Sequence, residues 1–316
     1  KNKNKMKKII LIASAIILAA FTAAAQDMSQ ATETAKAANE ALLLGDNESA
    51  LNGFQEALKQ AEACGEEGAE LVSTCKDIIP RIMLSMGKDQ IKAKNFDAAL
   101  EGVKKALATA TEFGNDEIVE KAAELIPGIK MSKANELLNA KDFAGAAAAF
   151  QGILSEEPAN GQAALRLGMC LTQNGDLEGA KAAFETAIAN GQEKTAVKQL
   201  SNIYLKEAQA ALKAGKFKDA LAAADKSNEY LESANAYKLA ASAATKLNDN
   251  AAAMARYEKY LEVAPNAKDA NGVICTLAVL YQKAGDKAKA IEYYQKIVTD
   301  PTYGETAKTQ LASLNK

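Results

Sequence analysis

The sequence has no histidine and no tryptophan, and only 5% of its 316 residues are aromatic; it has five prolines and four cysteines. Without histidine there is no side chain that ordinarily titrates near neutral pH, no imidazole metal ligand and no Ser-His-Asp arrangement. No two cysteines have CxxC spacing, and four thiols without imidazole partners do not look like a metal site. With so few rings, a core has to be built largely from Ala, Leu and Ile, which suits closely packed helices.

Long apolar runs are missing too, apart from a short one near the start. Lys1, Lys3, Lys5, Lys7 and Lys8 precede the apolar run Ile9 to Phe21, broken only by Ser14, and Ala23-Ala24-Ala25 stands before Gln26. A basic flank, a short apolar stretch and small residues have the form of a secretory leader with its cleavage site. The run is short for a membrane span, and no cysteine follows it for a lipid anchor. A signal peptide over residues 1–25 is therefore expected. The product would reside in the periplasm, or be secreted or peripherally bound to the envelope, with no integral membrane segment after signal removal. Taking its five lysines from the 38 basic residues leaves 33 against 40 acidic ones. An acidic chain without a basic cluster suits nucleic acid poorly, because that binding rests on phosphate neutralisation, and no nucleic-acid partner is expected.

What the chain has in abundance is one motif. GDNESA at 45–50, KNFDAA at 94–99, KDFAGA at 141–146, GDLEGA at 175–180, GKFKDA at 215–220, NDNAAA at 248–253 and GDKAKA at 285–290 all end in alanine. Six of the seven second positions are Asp or Asn, suited to capping the free N–H groups that open a helix. Four first positions are Gly, which tolerates the turn that ends the preceding helix. Four residues beyond each alanine stand Phe54, Val103, Phe150, Phe184, Ala224, Tyr257 and Tyr294. Three further come Ala57, Ala106, Ile153, Ala187, Ser227, Tyr260 and Ile297. That spacing is one helical face. Pro158 and Pro265, twelve residues past their alanines, are placed to stop the second helix.

This pattern resembles the tetratricopeptide repeat family. The unit from Gly161 fits its 34-residue motif through Leu167, Gly168, Leu171, Gly175, Asp176, Ala180, Phe184 and Ala187. The unit from Asn271 fits through Leu277, Ala278, Tyr281, Gly285, Asp286, Ala290, Tyr294 and Ile297. The resemblance covers nearly all of residues 30–314 and implies an all-α, right-handed superhelix of about seven antiparallel helix pairs. The spacing of the alanines is uneven. The first two intervals exceed the motif by 15 and 13 residues, read as added turns of helix that a proline, Pro80 or Pro127, breaks or kinks. Residues 26–126 are accordingly expected to form irregular repeats with longer helices, and 127–316 the repeat array.

Cys64 and Cys75 flank GEEG in the first long interval, where a returning helix would bring them within disulfide distance in an oxidising compartment. Such a bridge would add roughly 2–3 kcal/mol, and two buried thiols are the alternative. Cys170 and Cys275 lie three units apart and are not expected to pair.

In the family, the first helix of each pair lines the peptide-binding groove. Carrying its exposed positions over gives Arg81, Lys88, Asn135, Gln162, Gln209 and Lys238 as candidate groove residues, an amide-rich and mildly basic set. The family's carboxylate clamp needs Lys at position 5 and Asn at position 9 of one repeat, and no unit has both. Three functions follow: an adaptor for a protein or peptide partner, a structural spacer or self-association module, and a hydrolase using paired carboxylates. The acidic residues fall on repeat surfaces and caps, so no catalytic, cofactor-binding or metal-binding residue is assigned and the adaptor is the leading expectation.

Overall fold

A computed structural model of the chain describes residues 26–315, so the leader expected over residues 1–25 lies outside the described residues. The fold is all-α, with helices stacked as antiparallel pairs. The chain divides into two compact units between Glu156 and Glu157. The first unit holds α1 (Gln26–Leu44), α2 (Asn47–Ala63), a 3-10 turn (Gly65–Gly68), α3 (Ala69–Lys92), α4 (Phe96–Phe113), α5 (Asp116–Asn139) and α6 (Phe143–Glu156). The second holds α7 (Gly161–Asn174), α8 (Leu177–Ala189), α9 (Glu193–Lys213), α10 (Phe217–Tyr230), α11 (Ala234–Lys246), α12 (Asn250–Val263), α13 (Ala270–Lys283), α14 (Lys287–Lys296) and α15 (Gly304–Leu314).

Each alanine-ended motif joins the two helices of one pair, and all seven joints share a backbone solution. The first position is left-handed in every copy: Gly45, Lys94, Lys141, Gly175, Gly215, Asn248 and Gly285 have φ between 60° and 85°. That turn brings the next residue's N–H back to a carbonyl five residues earlier, as in Asp46 to Ala41 and Asp249 to Ala244, at 2.9–3.0 Å throughout. The bond satisfies a carbonyl that the helix end would otherwise leave orphaned. Asp46, Asp142, Asp176, Asp249 and Asp286 then accept the N–H three residues on at 2.9–3.0 Å. Each such cap contributes about 1 kcal/mol. Asn95 makes no side-chain cap; its Nδ2 donates to Gln90 Oε1 at 3.0 Å instead.

The residues predicted to share a face form the core. All seven joint alanines are at most 1% exposed, and the positions four and seven residues on are all buried. The four largest fully buried side chains, Tyr294, Phe54, Phe150 and Phe184, all occupy the position four residues on. Each is worth about 1.5–3 kcal/mol of apolar burial. Opposite them the first helices are small. A Cβ on Gly168 would lie 2.7 Å from the Phe184 ring, and one on Gly87 would lie 2.8 Å from Val103 Cγ2. The fifth pair replaces the ring with Ala224, packed beside Ala208 and Ala240. Its buried Ser227 is satisfied by donating to Ser201 O at 2.9 Å.

The long early intervals are helix: α3 and α5 are each 24 residues long. Their prolines do not break them. Pro80 and Pro127 both lie inside continuous helices. Pro158 and Pro265 do follow helix ends, two residues after Glu156 and Val263. Two features escaped the alanine pattern. Gly114 and Asn115 turn α4 into α5 with joint-like geometry, φ 70° at Gly114 and Asn115 N–H on Ala110 O at 2.8 Å, but no alanine follows. Helix α15 has no joint either, and packs Ala307, Leu311 and Leu314 against Ala278, Tyr294 and Ile297.

The expected Cys64–Cys75 disulfide is overturned, because all four cysteines are free thiols. Cys64 ends α2, and its Sγ donates to Gln60 O at 3.3 Å, within its own helix. Cys75 is fully buried in the core of α1 to α3, where burial, and then the nearby Glu62 charge, push its thiol up to about 12. The 3-10 turn between α2 and α3 closes the connection without a covalent link.

Two outcomes follow. Lys94→Gly and Lys141→Gly should each raise stability by about 0.5–1 kcal/mol in urea unfolding, since a side chain in the left-handed region is strained, whereas Gly175→Ala should lower it by about 1 kcal/mol. Alkylation of the unfolded, unreduced chain should add four carbamidomethyl groups by mass spectrometry; addition of only two would restore the bridge.

Candidate functional site

The second helices turn their alanine and aromatic face inward; the first helices are α1, α3 and α5 in one unit and α7, α9, α11 and α13 in the other. In the first unit α3 packs on α5. Arg81 and Lys88 lie on α3 and Asn135 on α5, all half-buried. Arg81 is held on both sides. Its Nε and Nη2 donate to the Asp77 carboxylate at 2.8–3.1 Å, and its Nη1 pairs with Glu117 Oε2 on α5 at 2.8 Å. Asn115 Nδ2 donates to Asp77 Oδ1 at 2.9 Å, so the α5 cap enters the same network. Hydrogen bonds from Lys121 and Arg81 hold the Glu117 carboxyl down at about 2. Arg81 therefore clamps α3 to α5. Asn135 differs: its Oδ1 is buried without a hydrogen-bond partner.

In the second unit α9 packs on α11. Gln162 on α7, Gln209 on α9 and Lys238 on α11 are all exposed. Lys238 pairs with Asp269, whose other oxygen accepts from Tyr260 Oη at 2.5 Å, joining α11 to the approach of α13. Thus Arg81 and Lys238 have their charge engaged by neighbouring helices. Met169 on α7 and Asn202 on α9 are exposed and have no such bond among the described residues.

Polar networks among the tyrosines fix the second unit's helices. All nine tyrosines fall within residues 204–303. Glu258 on α12 accepts from Tyr281 Oη on α13 at 2.6 Å and from Tyr293 Oη on α14 at 3.0 Å. The two rings stack with centroids 5.6 Å apart, and Lys289 Nζ lies 4.6 Å from the Tyr281 centroid. Burial raises the Glu258 carboxyl, but the tyrosine and Lys289 bonds outweigh it and the net shift is downward. A second stack, Tyr204 on Tyr230 at 5.8 Å with Lys181 over Tyr204, links α8, α9 and α10. Among the described residues no three His, Cys, Asp or Glu side chains are grouped to hold a metal, and no helix is long and apolar enough to cross a membrane.

The Arg81 clamp has a pH signature. The folded-state Glu117 value, about 2, lies below its ordinary 4.5, so its contribution is present above 4.5 and is lost as pH falls towards 2. The thermal midpoint of the parent should exceed that of Glu117→Gln near pH 6, with the gap closing between about pH 4.5 and pH 2. A gap that stays constant over that range would remove the carboxylate from the clamp.

Residues 137–203 match one tetratricopeptide repeat model and residues 276–302 another. No curated protein matches the chain. Among solved structures, MamA is 18% identical, with 56% of this chain and 96% of that chain covered and a TM-score of 0.31. YrrB, a tetratricopeptide repeat protein with an unusual peptide-binding site, is 18% identical, with coverage of 57% and 91% and a TM-score of 0.31. PilW, a widely conserved type IV pilus biogenesis factor, is 16% identical, with coverage of 74% and 98% and a TM-score of 0.31. Two segments of the chain thus match tetratricopeptide repeat models, and one joint geometry runs through both units.

Proposed function

We propose that this protein is an adaptor of the bacterial periplasm that holds a peptide segment or a partner protein against its first-helix faces. The observation that carries the reading is the division of labour within each pair. On the second helices the joint alanines and the positions four and seven residues on are consumed by the core, whereas Gln162, Met169, Asn202 and Gln209 on α7 and α9 are exposed and have no side-chain bond among the described residues. Stacked pairs hold such side chains in place before binding, which lowers the ordering cost of capture. The basic, apolar and small-residue succession over residues 1–25 supports export.

Photo-crosslinking in the native cell tests both parts. A benzophenone amino acid at Met169 or Gln209 should capture one recurrent partner in the osmotic-shock fraction, and the same probe at the exposed second-helix residue Ala222 should not. Equal capture at all three sites, or none, would overturn the adaptor reading. Recovery of the protein only from the cytosol would overturn its location.

A further inference from the structure

Charge in the second unit is sorted by helix. Over residues 157–316 there are 20 basic and 18 acidic residues, a nearly neutral balance. The second helices α8, α10, α12 and α14 carry eight of each sign. The first helices α7, α9, α11 and α13 carry eight basic residues against two acidic ones, Glu193 and Glu207. The first unit leans the other way, with 22 acidic and 13 basic residues over 26–156.

Pairing sharpens the contrast. On the second helices Lys181, Lys226, Arg256, Lys259, Lys289 and Lys296 all sit in ion pairs. On the first helices only Lys238 does; among the described residues Arg166, Lys206, Lys213, Lys246 and Lys283 have no ion-pair partner. Three of these are in register, since Lys213, Lys246 and Lys283 each stand seven residues before a joint alanine and each is exposed. They end α9, α11 and α13, where the helix dipole favours a cation. The dipole accounts for a lysine at each end but not for the scarcity of acids beside them. Arg166 adds an independent mark: its Nε is buried with no hydrogen-bond acceptor. A buried guanidinium donor left unsatisfied is costly unless an acceptor arrives.

We infer that the first-helix face of the second unit takes an acidic polypeptide segment in extended form, whose carboxylates cross the lysine row and reach Arg166. The inference rests on the adaptor reading and gives its partner a chemistry. Packed helices such as α9 and α11 lie roughly 8–10 Å apart. An extended chain rises about 3.3 Å per residue, so carboxylates three residues apart match that spacing. Exposed amides at Gln162, Asn202, Gln209 and Asn235 lie on the same helices and suit a peptide backbone. A long polyphosphate is disfavoured by the acidic first unit.

The experiment uses the full exported chain and fluorescent 15-residue peptides of Glu-Gly-Ser repeats, with Gln-Gly-Ser repeats and an oligothymidylate of equal charge as comparisons. Anisotropy at 50 mM NaCl should show binding of the Glu peptide alone, weakening at least tenfold by 300 mM. The triple change K213E/K246E/K283E should weaken it at least tenfold. K213Q/K246Q/K283Q, which is gentler on the helix ends, should weaken it at least threefold. K218E/K268E/K287E alters net charge as much as the first triple but lies outside the first helices, and should weaken binding less than threefold. Equal loss in both Glu triples, tighter binding of the oligonucleotide, or no binding of the Glu peptide would overturn the inference. So would self-association in sedimentation that the first triple abolishes. If Met169 and Gln209 crosslinks persist but map to non-acidic segments, the charge inference fails and the adaptor survives; if they are absent, the adaptor itself fails.

Discussion

The constraint on which the rest depends is the reversal of the chain within two residues at each joint. One residue enters the left-handed region, the next returns its N–H to a carbonyl five residues back, and at five of the seven joints that residue's side chain then caps the following helix. This turn satisfies carbonyls of the first helix end without a longer loop. It also fixes which face of the second helix meets the first, so the alanine four residues past the cap is carried inward in every copy. Glycine is the unstrained choice at the first position, yet Lys94, Lys141 and Asn248 adopt the same φ. The turn is therefore imposed by the packing that follows it as much as by the residue in it.

That geometry divides the side chains into two populations. Those on the joint-alanine face of the second helices are buried, as Phe184 is against Gly168 of the first. Those on the first helices are either drawn into bonds between helices or left free. Arg81 and Lys238 belong to the former, through Glu117 and Asp269. In the second unit the tyrosine–glutamate–lysine networks add directional restraint between α12, α13 and α14, and so hold the exposed residues of neighbouring helices in fixed register. Binding on such a surface requires little reordering.

The cysteines show how far local spacing can mislead. Eleven residues and an intervening GEEG turn are compatible with a bridge, but compatibility in sequence says nothing about which way each side chain faces. Cys64 faces a carbonyl of its own helix, while Cys75 is drawn into an apolar cluster with Leu71, Ile78 and Ile82. Burial already stabilises that corner. Pro80 and Pro127 carry a similar lesson, because long helices packed along their length persist through a residue that removes one backbone donor.

Period, capping chemistry and small-residue placement were legible in the sequence because they are local. The joints, the identity of the core face and the helical nature of the long intervals all follow from interactions within about seven residues. Helix α15 and the Gly114–Asn115 turn were not legible, since neither carries the alanine that marked the others. Among the groove candidates, sequence placed Gln162 and Gln209 on exposed helix surface, but the engagement of Arg81 by a carboxylate 36 residues away was invisible until α3 and α5 were brought together. The sequence by itself determined a stack of helix pairs and which residues build it. Tertiary structure decided which cations are neutralised, which thiols stay apart and which side chains stay exposed, because charge pairing and burial depend on contacts between helices that periodicity does not encode.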